Sequence, residues 1–219
     1  MWTGARAPVR ETAPVIPLWA SICGYGAATF SIISATTQSL RVVRARSIAG
    51  ISPTSWMIGS LSSVAWFAYG ISVRSPQQTV ANGWWMFYVV PCTWFMLLPR
   101  GRAVARWGIV AVVATFAALF ALGTVAPSAP GWIGMPASMA MLVPQVVYSF
   151  RHGRGPGISR LGWAFLATSS SLWFLYGIGA GDWPVIINTS IGMVLSWTVA
   201  VMLIVRPSRH DAGRIPIAS

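Results

Sequence analysis

Lysine is absent from this sequence, and aspartate and glutamate together number 3. Charged residues make up 8% of the chain, against about 25% in a soluble domain. That is too few to cover a surface facing water. Without lysine there is no amine to form a retinal Schiff base, which excludes a rhodopsin. The three carboxylates, Glu11, Asp182 and Asp211, fall at the ends of apolar runs or between them, and the runs contain no histidine. A proton-coupled carrier needs a titratable group inside the membrane, and a hydrolase needs a base beside its nucleophile. The apolar runs offer neither, so an enzyme is not expected. Cys23 and Cys92 each sit alone in an apolar run, and His152 and His210 lie in basic stretches. This spacing suits neither a disulfide nor a metal site, and no cofactor is expected.

What is abundant is apolar length. Hydrophobic residues reach 55%, and a membrane-spanning helix needs about 20 mostly apolar residues. Runs bounded by Arg, Pro and Gly clusters predict seven helices, over 16–39, 52–72, 79–98, 104–125, 132–150, 160–179 and 184–205. Helix is the default because backbone groups in lipid must be satisfied within the segment. The first run lacks a small-residue cleavage site and is read as a retained helix rather than a signal peptide. All 15 cations are arginines, and they sit in the connections. Twelve follow helices one, three, five and seven; only Arg6, Arg10 and Arg74 fall on the other side. The positive-inside rule then puts the N-terminus outside and the C-terminus in the cytoplasm. The charge of +12 is therefore a topology signal, and no nucleic-acid partner is expected.

The chain also repeats itself. SSVAWFAYG, from Ser62 to Gly70, matches SSSLWFLYG, from Ser169 to Gly177, at six of nine positions. At the same offset of 107, Gln38 meets Gln145, Arg44 meets Arg151, and Gly50-Ile51-Ser52 meets Gly157-Ile158-Ser159; after a one-residue slip Asn82 meets Asn188. A period this long marks a structural repeat. It divides the chain into a first three-helix repeat (16–99), a linker helix (104–125), a second repeat (131–205) and a cytoplasmic tail (206–219). The single linker makes both copies run in the same direction. Parallel repeats related by an axis along the membrane normal are common in transporters, whose sites lie at the repeat interface. The linker, almost wholly apolar, reads as a lipid-facing connector without site residues.

The candidate site is built from uncharged groups. Asn82 and Asn188 open the third helix of each repeat. An unpaired buried carboxamide costs on the order of 1–3 kcal/mol, so the two asparagines either bond each other or face a ligand. Trp66 and Trp173 follow Ser62 and Ser169 by four residues, which puts each pair on one helix face. An indole can stack on the C–H face of a sugar while amides and hydroxyls bind its hydroxyl groups. Ser52 and Ser159 read as helix caps. Pro144, beside Gln145, weakens helix five locally and is a candidate hinge; the first copy has Thr37-Gln38 in its place. Arg74 and Asp182 are expected to meet across the axis as an outer gate above Tyr69 and Tyr176. Pro76-Gln77 is assigned to an outer loop, and Trp19, Trp84, Trp85, Trp107 and Trp132 to an interfacial belt.

These motifs together resemble the SWEET and SemiSWEET sugar transporters of the PQ-loop family. The likeness is carried by Pro144-Gln145, the Gly-Ile-Ser after each basic loop, the paired Trp-x-x-Tyr-Gly and the paired asparagines, and it covers about 20–205. It implies a seven-helix 3+1+3 bundle and passive, bidirectional transport of a mono- or disaccharide by alternating access. It also implies that Asn82, Asn188, Trp66 and Trp173 bind the sugar, with Ser62 and Ser169 one turn away. Pocket size would be tuned near Ile33 and Ala140. Thr37 replaces the family's first-helix proline, and the second- and sixth-helix prolines also lack a clean match. The expected partners are a sugar and membrane lipid, in a bacterial-type plasma membrane. One chain holds both halves, so a monomer suffices, while further pairing of chains stays open. Two alternatives stand beside this reading: a PQ-loop carrier for another small solute, and a non-transporting receptor or scaffold.

Overall fold

The computed structural model describes residues 16–45, 53–152 and 160–205, and statements about structure refer to these. They form seven α-helices and one 3-10 turn. The helices are α1 (Leu18–Ala45), α2 (Pro53–Ser72), α3 (Pro76–Leu97), α4 (Arg102–Val125), α5 (Ala129–His152), α6 (Arg160–Ala180) and α7 (Trp183–Val205). The turn, Leu98–Arg100, precedes α4. No strand occurs among the described residues.

Of these helices, α1 over Leu18–Thr37, α4, α6 over Leu161–Ala180, and α7 are long and apolar enough to cross a membrane. The chain is a multi-pass integral membrane protein. Seven spans were expected; α2, α3 and α5, at 20, 22 and 24 residues, have the length to cross as well. In α2 and α3 polar residues are turned inward. Ser60 and Ser62 of α2 and Gln77 and Gln78 of α3 are all buried inside the protein. Their polarity is thereby turned away from the outer surface. That surface is apolar, with Phe87, Trp107, Phe120 and Ile204 all exposed.

The packing closes six helices into a circuit. Helix α1 packs on α3 and α6, α3 on α2, α2 on α5, α5 on α7, and α7 on α6. Within each half, the first and second helices do not touch; the third lies between them. The first helix of one half packs instead on the second helix of the other. Helix α4 stays outside the circuit, against α2, α3 and α5. It buries only Ala105, Val112, Leu119 and Gly123, one narrow stripe at about helical spacing. One core cluster joins α2 and α4, with Val64, Ala68, Val112 and Leu119 at its centre. Another joins α5, α6 and α7 through Val146, Trp163, Val199 and Leu203. The third spans both halves and carries the candidate site.

The turns before α3 and α7 are alike. Ser75 Oγ accepts from the Gln78 N–H at 3.2 Å and caps α3, with Pro76 in the first turn. Asp182 Oδ1 accepts from the Val185 N–H at 3.2 Å and caps α7. Proline suits a helix's first turn because it has no N–H to leave unpaired. Hence α3 begins at Pro76 rather than at 79, and Pro76-Gln77 is helical, not loop. The residue before each cap has positive φ: 56° at Arg74 and 66° at Gly181. An L side chain pays about 1 kcal/mol for that conformation. An added Cβ at Gly181 meets nothing within 4 Å, so only backbone strain is at stake. Gly181→Ala is expected to lower stability by about 1 kcal/mol, and Arg74→Gly to raise it by up to the same amount. Thermal unfolding in detergent measures both.

Candidate functional site

The third cluster brings the two copies of Trp-x-x-Tyr-Gly together. Trp66, Tyr69, Tyr176 and Val185 form its buried centre, with Trp173, Cys23, Met135 and Val73 packed against it. Each tryptophan meets its own tyrosine edge-on, at 5.6 Å for Trp66–Tyr69 and 5.4 Å for Trp173–Tyr176. The motif's glycine has a packing role. A Cβ at Gly70 would lie 2.8 Å from the Thr79 nitrogen, and one at Gly177 3.2 Å from that of Ile186. The second helix must carry glycine in its last turn for the third to start so close to it.

The indole N–H groups cross between halves. Trp66 Nε1 donates to Ser138 Oγ at 2.9 Å, and Trp173 Nε1 to Ser31 Oγ at 3.3 Å. Ser62 Oγ bonds Ser138 Oγ at 2.7 Å, and Ser169 Oγ bonds Ser31 Oγ at 2.7 Å. Ser62 and Ser169 are therefore buried in contacts between α2 and α5 and between α6 and α1. Their hydroxyls already have protein partners, so the structure gives them a helix-joining place rather than an open one. Ser31 and Ser138 are related by the same offset of 107. They carry no motif letter around them, which is why the sequence did not single them out.

The asparagines do not bond each other. Asn82 Nδ2 donates to the Gln78 carbonyl one turn back, at 2.9 Å. Asn188 Oδ1 is buried with no hydrogen-bond partner. An orphaned buried acceptor is uncommon in folded proteins, and it calls for a donor that the described residues do not supply.

At the end of the circuit where α2 and α6 finish, the tyrosines latch onto the opposite caps. Tyr69 donates to Asp182 Oδ1 at 2.6 Å, and Tyr176 pairs with Ser75 Oγ at 2.8 Å. Ser75 and Asp182 are counterparts at the offset of 107, as are the two tyrosines. Gln78 Nε2 adds a bond to Asp182 Oδ2 at 3.0 Å, and Gln77 Nε2 one to Ser21 Oγ at 2.9 Å. The expected Arg74–Asp182 pair does not form. Arg74 corresponds to Gly181, not to Asp182, and its turn leaves it exposed. The carboxylate instead takes hydrogen bonds from tyrosine, glutamine and a backbone amide. Glycines make room for this: a Cβ at Gly24 would lie 2.6 Å from Tyr176 Cδ2, and one at Gly131 3.0 Å from Tyr69.

Burial holds the Asp182 carboxyl above the usual carboxylate range, against the lowering effect of its three hydrogen-bond donors. Asp182 is the one acidic residue among those described. A folded-state value above the unfolded one means that the folded protein holds this proton more tightly. Its stabilising contribution is complete below about pH 4, the unfolded carboxylate value, and fades as pH rises through the folded value. Asp182→Asn removes the titration while keeping the cap. The stability difference between wild type and this variant is expected to shift against wild type as pH rises from about 4. Thermal melting across pH measures it.

Several expected positions lie elsewhere. Helix α5 continues unbroken through Pro144 and Gln145, whose side chains, like that of Gln38, fall outside those described. Ser52 and Ser159 are outside the described residues. Thr37 bonds the Ile33 carbonyl at 2.7 Å, and Ile33 and Ala140 are both exposed. No group of metal-ligating side chains occurs among the described residues. Trp19, Trp84, Trp107 and Trp132 are exposed as a belt requires, whereas Trp85 packs against the cluster of α2 and α4.

These features define an all-α membrane protein whose two similar halves exchange helix contacts and close at one end through a polar latch. Its fold is SWEET-like. Among solved structures it is similar to a eukaryotic SWEET transporter determined at 3.7 Å. The TM-score is 0.65 at 14% identity, over 85% of this chain and 97% of that one. No family model matches the sequence, and no curated protein does.

Proposed function

We propose that this protein is a passive, bidirectional sugar uniporter rather than an enzyme. In this reading all seven helices span the membrane in a 3+1+3 arrangement, N-terminus outside and C-terminus in the cytoplasm. The observation that carries it is Asn188 Oδ1, a buried acceptor without a donor, in a protein whose predicted spans contain no Asp, Glu, Lys or His and keep their arginines at the helix ends. A sugar hydroxyl is a neutral donor of the required kind. Asn82, Trp66 and Trp173 would complete the site, with Ser62 and Ser169 fixing the helices that carry the tryptophans. The latch of Tyr69, Tyr176, Ser75 and Asp182 is the closed outer gate. Gln38, Pro144 and Gln145 serve the inner movement, and the Thr37 bond to the Ile33 carbonyl takes the place of a proline by bending α1. Arg74, exposed beside the gate, has no pairing role in it. The likeness in fold to a transporter supports the reading, as does the exchange of helix contacts between halves, which suits two units rocking about a shared site. The home is a bacterial-type plasma membrane, with lipid covering the apolar exterior; the chain works as a monomer or as part of a homo-oligomer.

Radiolabelled glucose and sucrose counterflow in proteoliposomes tests the proposal. Uptake of at least one sugar, unchanged by a pH gradient, is the expected result. Folded protein that exchanges neither sugar would move the assignment to another neutral solute or to a receptor.

A further inference from the structure

Gln78 is 2% exposed, yet it sits in the first turn of α3 with two polar ends to satisfy. Its side-chain Nε2 crosses to the turn between α6 and α7 and donates to Asp182 Oδ2 at 3.0 Å. Its backbone carbonyl receives Asn82 Nδ2 at 2.9 Å. Asp182 Oδ1 meanwhile receives Tyr69 at 2.6 Å and the Val185 N–H at 3.2 Å. Both oxygens of a half-buried carboxylate are thus matched by donors, and one donor belongs to a residue that also holds Asn82. The counterpart of Gln78 in the second half is Val185, whose side chain cannot hydrogen-bond. The tie therefore exists once, from the first half's third helix to the second half's cap.

We infer that Gln78 is a positioning residue of the outer gate: it holds Asp182 in place for Tyr69 and joins that contact to Asn82 one turn deeper. The inference rests on reading the Tyr69–Asp182 contact as the outer gate. Losing Gln78's amide leaves Asp182 Oδ2 half-buried without a donor. Water is then the carboxylate's best partner, and water reaches it by the halves parting. Substitution at Gln78 thus opens the gate outward even though no other contact of Asp182 is removed.

Cys23, half-buried in the cluster beneath the latch, is a native reporter. The Cys92→Ser protein in intact cells is treated with a membrane-impermeant thiol reagent, and the rate at Cys23 is followed. A hydrogen bond to a charged group is at stake, so Gln78→Leu is expected to label about tenfold faster. Gln78→Glu sets two carboxylates together and is expected to label fast, more so as pH rises. The double variant Gln78→Glu/Asp182→Asn restores one carboxylate and one amide across the same gap and is expected to return to near the parent rate. Damage to the fold alone would not be repaired by a second substitution. Labelling of Gln78→Leu at the parent rate, or of the double variant as fast as Gln78→Glu, overturns the inference. If Gln78→Leu fails to reach the membrane, the comparison of Gln78→Glu with the double variant decides. Sugar counterflow is read separately. Faster labelling in a protein that moves no sugar removes the sugar reading and leaves the gate residue standing; sugar exchange with unchanged labelling does the reverse.

Discussion

Asn188→Ala is expected to abolish counterflow of glucose and sucrose while leaving expression and folding intact. The wild-type side chain places its Oδ1 in the interior with no partner, a cost on the order of 1–3 kcal/mol. Alanine removes that cost along with the acceptor. A structural asparagine would behave in the opposite way, because its loss would strip partners from its neighbours. The variant should therefore unfold no earlier than wild type, and on balance later. Melting in detergent and counterflow in proteoliposomes, on the same preparation, separate the two roles. Uptake at the wild-type rate would remove Asn188 from the site, and a lower melting temperature would mark it as part of the scaffold. Asn82→Ala is a weaker probe, since Asn82 already spends a hydrogen on the Gln78 carbonyl.

Gly24→Ala is expected to lower stability and disturb the latch together. Its Cβ would lie 2.6 Å from Tyr176 Cδ2 and 2.9 Å from Gln77 Cγ, and Tyr176 is 1% exposed with nowhere to retreat. Overpacking of a filled interior costs about 1–3 kcal/mol. The displaced ring would also release its bond to Ser75. Lower thermal stability and faster outside labelling of Cys23 should appear together. Gly131→Ala, whose contacts to Tyr69 begin at 3.0 Å, is expected to be milder in both measures. Equal effects of the two would show that the neighbouring rings shift freely.

The helices were legible because apolar length and arginine placement are read directly from the letters. The Trp and Tyr copies were legible because they repeat. What escaped was every relation between halves. Ser31 and Ser138 look like ordinary serines in apolar helices, and only the packing of α1 on α6 and of α2 on α5 brings them to the indoles. Pro76-Gln77 was assigned to an outer loop, and the third helix was started at 79. Yet proline in a first turn begins a helix, and the cap that proves it is Ser75. Asp182 drew notice as a charge, and a charge suggested an arginine. What excludes that pairing is the turn at Arg74, which leaves its side chain exposed while Asp182 takes its donors from Tyr69, Gln78 and a backbone amide.

The two latches are built on the same geometry but end in different chemistry, Ser75 in one and Asp182 in the other. Two identical chains meeting about a two-fold axis would be bound to place the same residue at both caps. A carboxylate at each would set two negative charges side by side in a poorly hydrated space, and a serine at each would leave none. Joining the halves through α4 lifts that constraint. The fused chain keeps one ionisable closure and one neutral closure, so the latched end is held by two unequal contacts rather than one contact doubled.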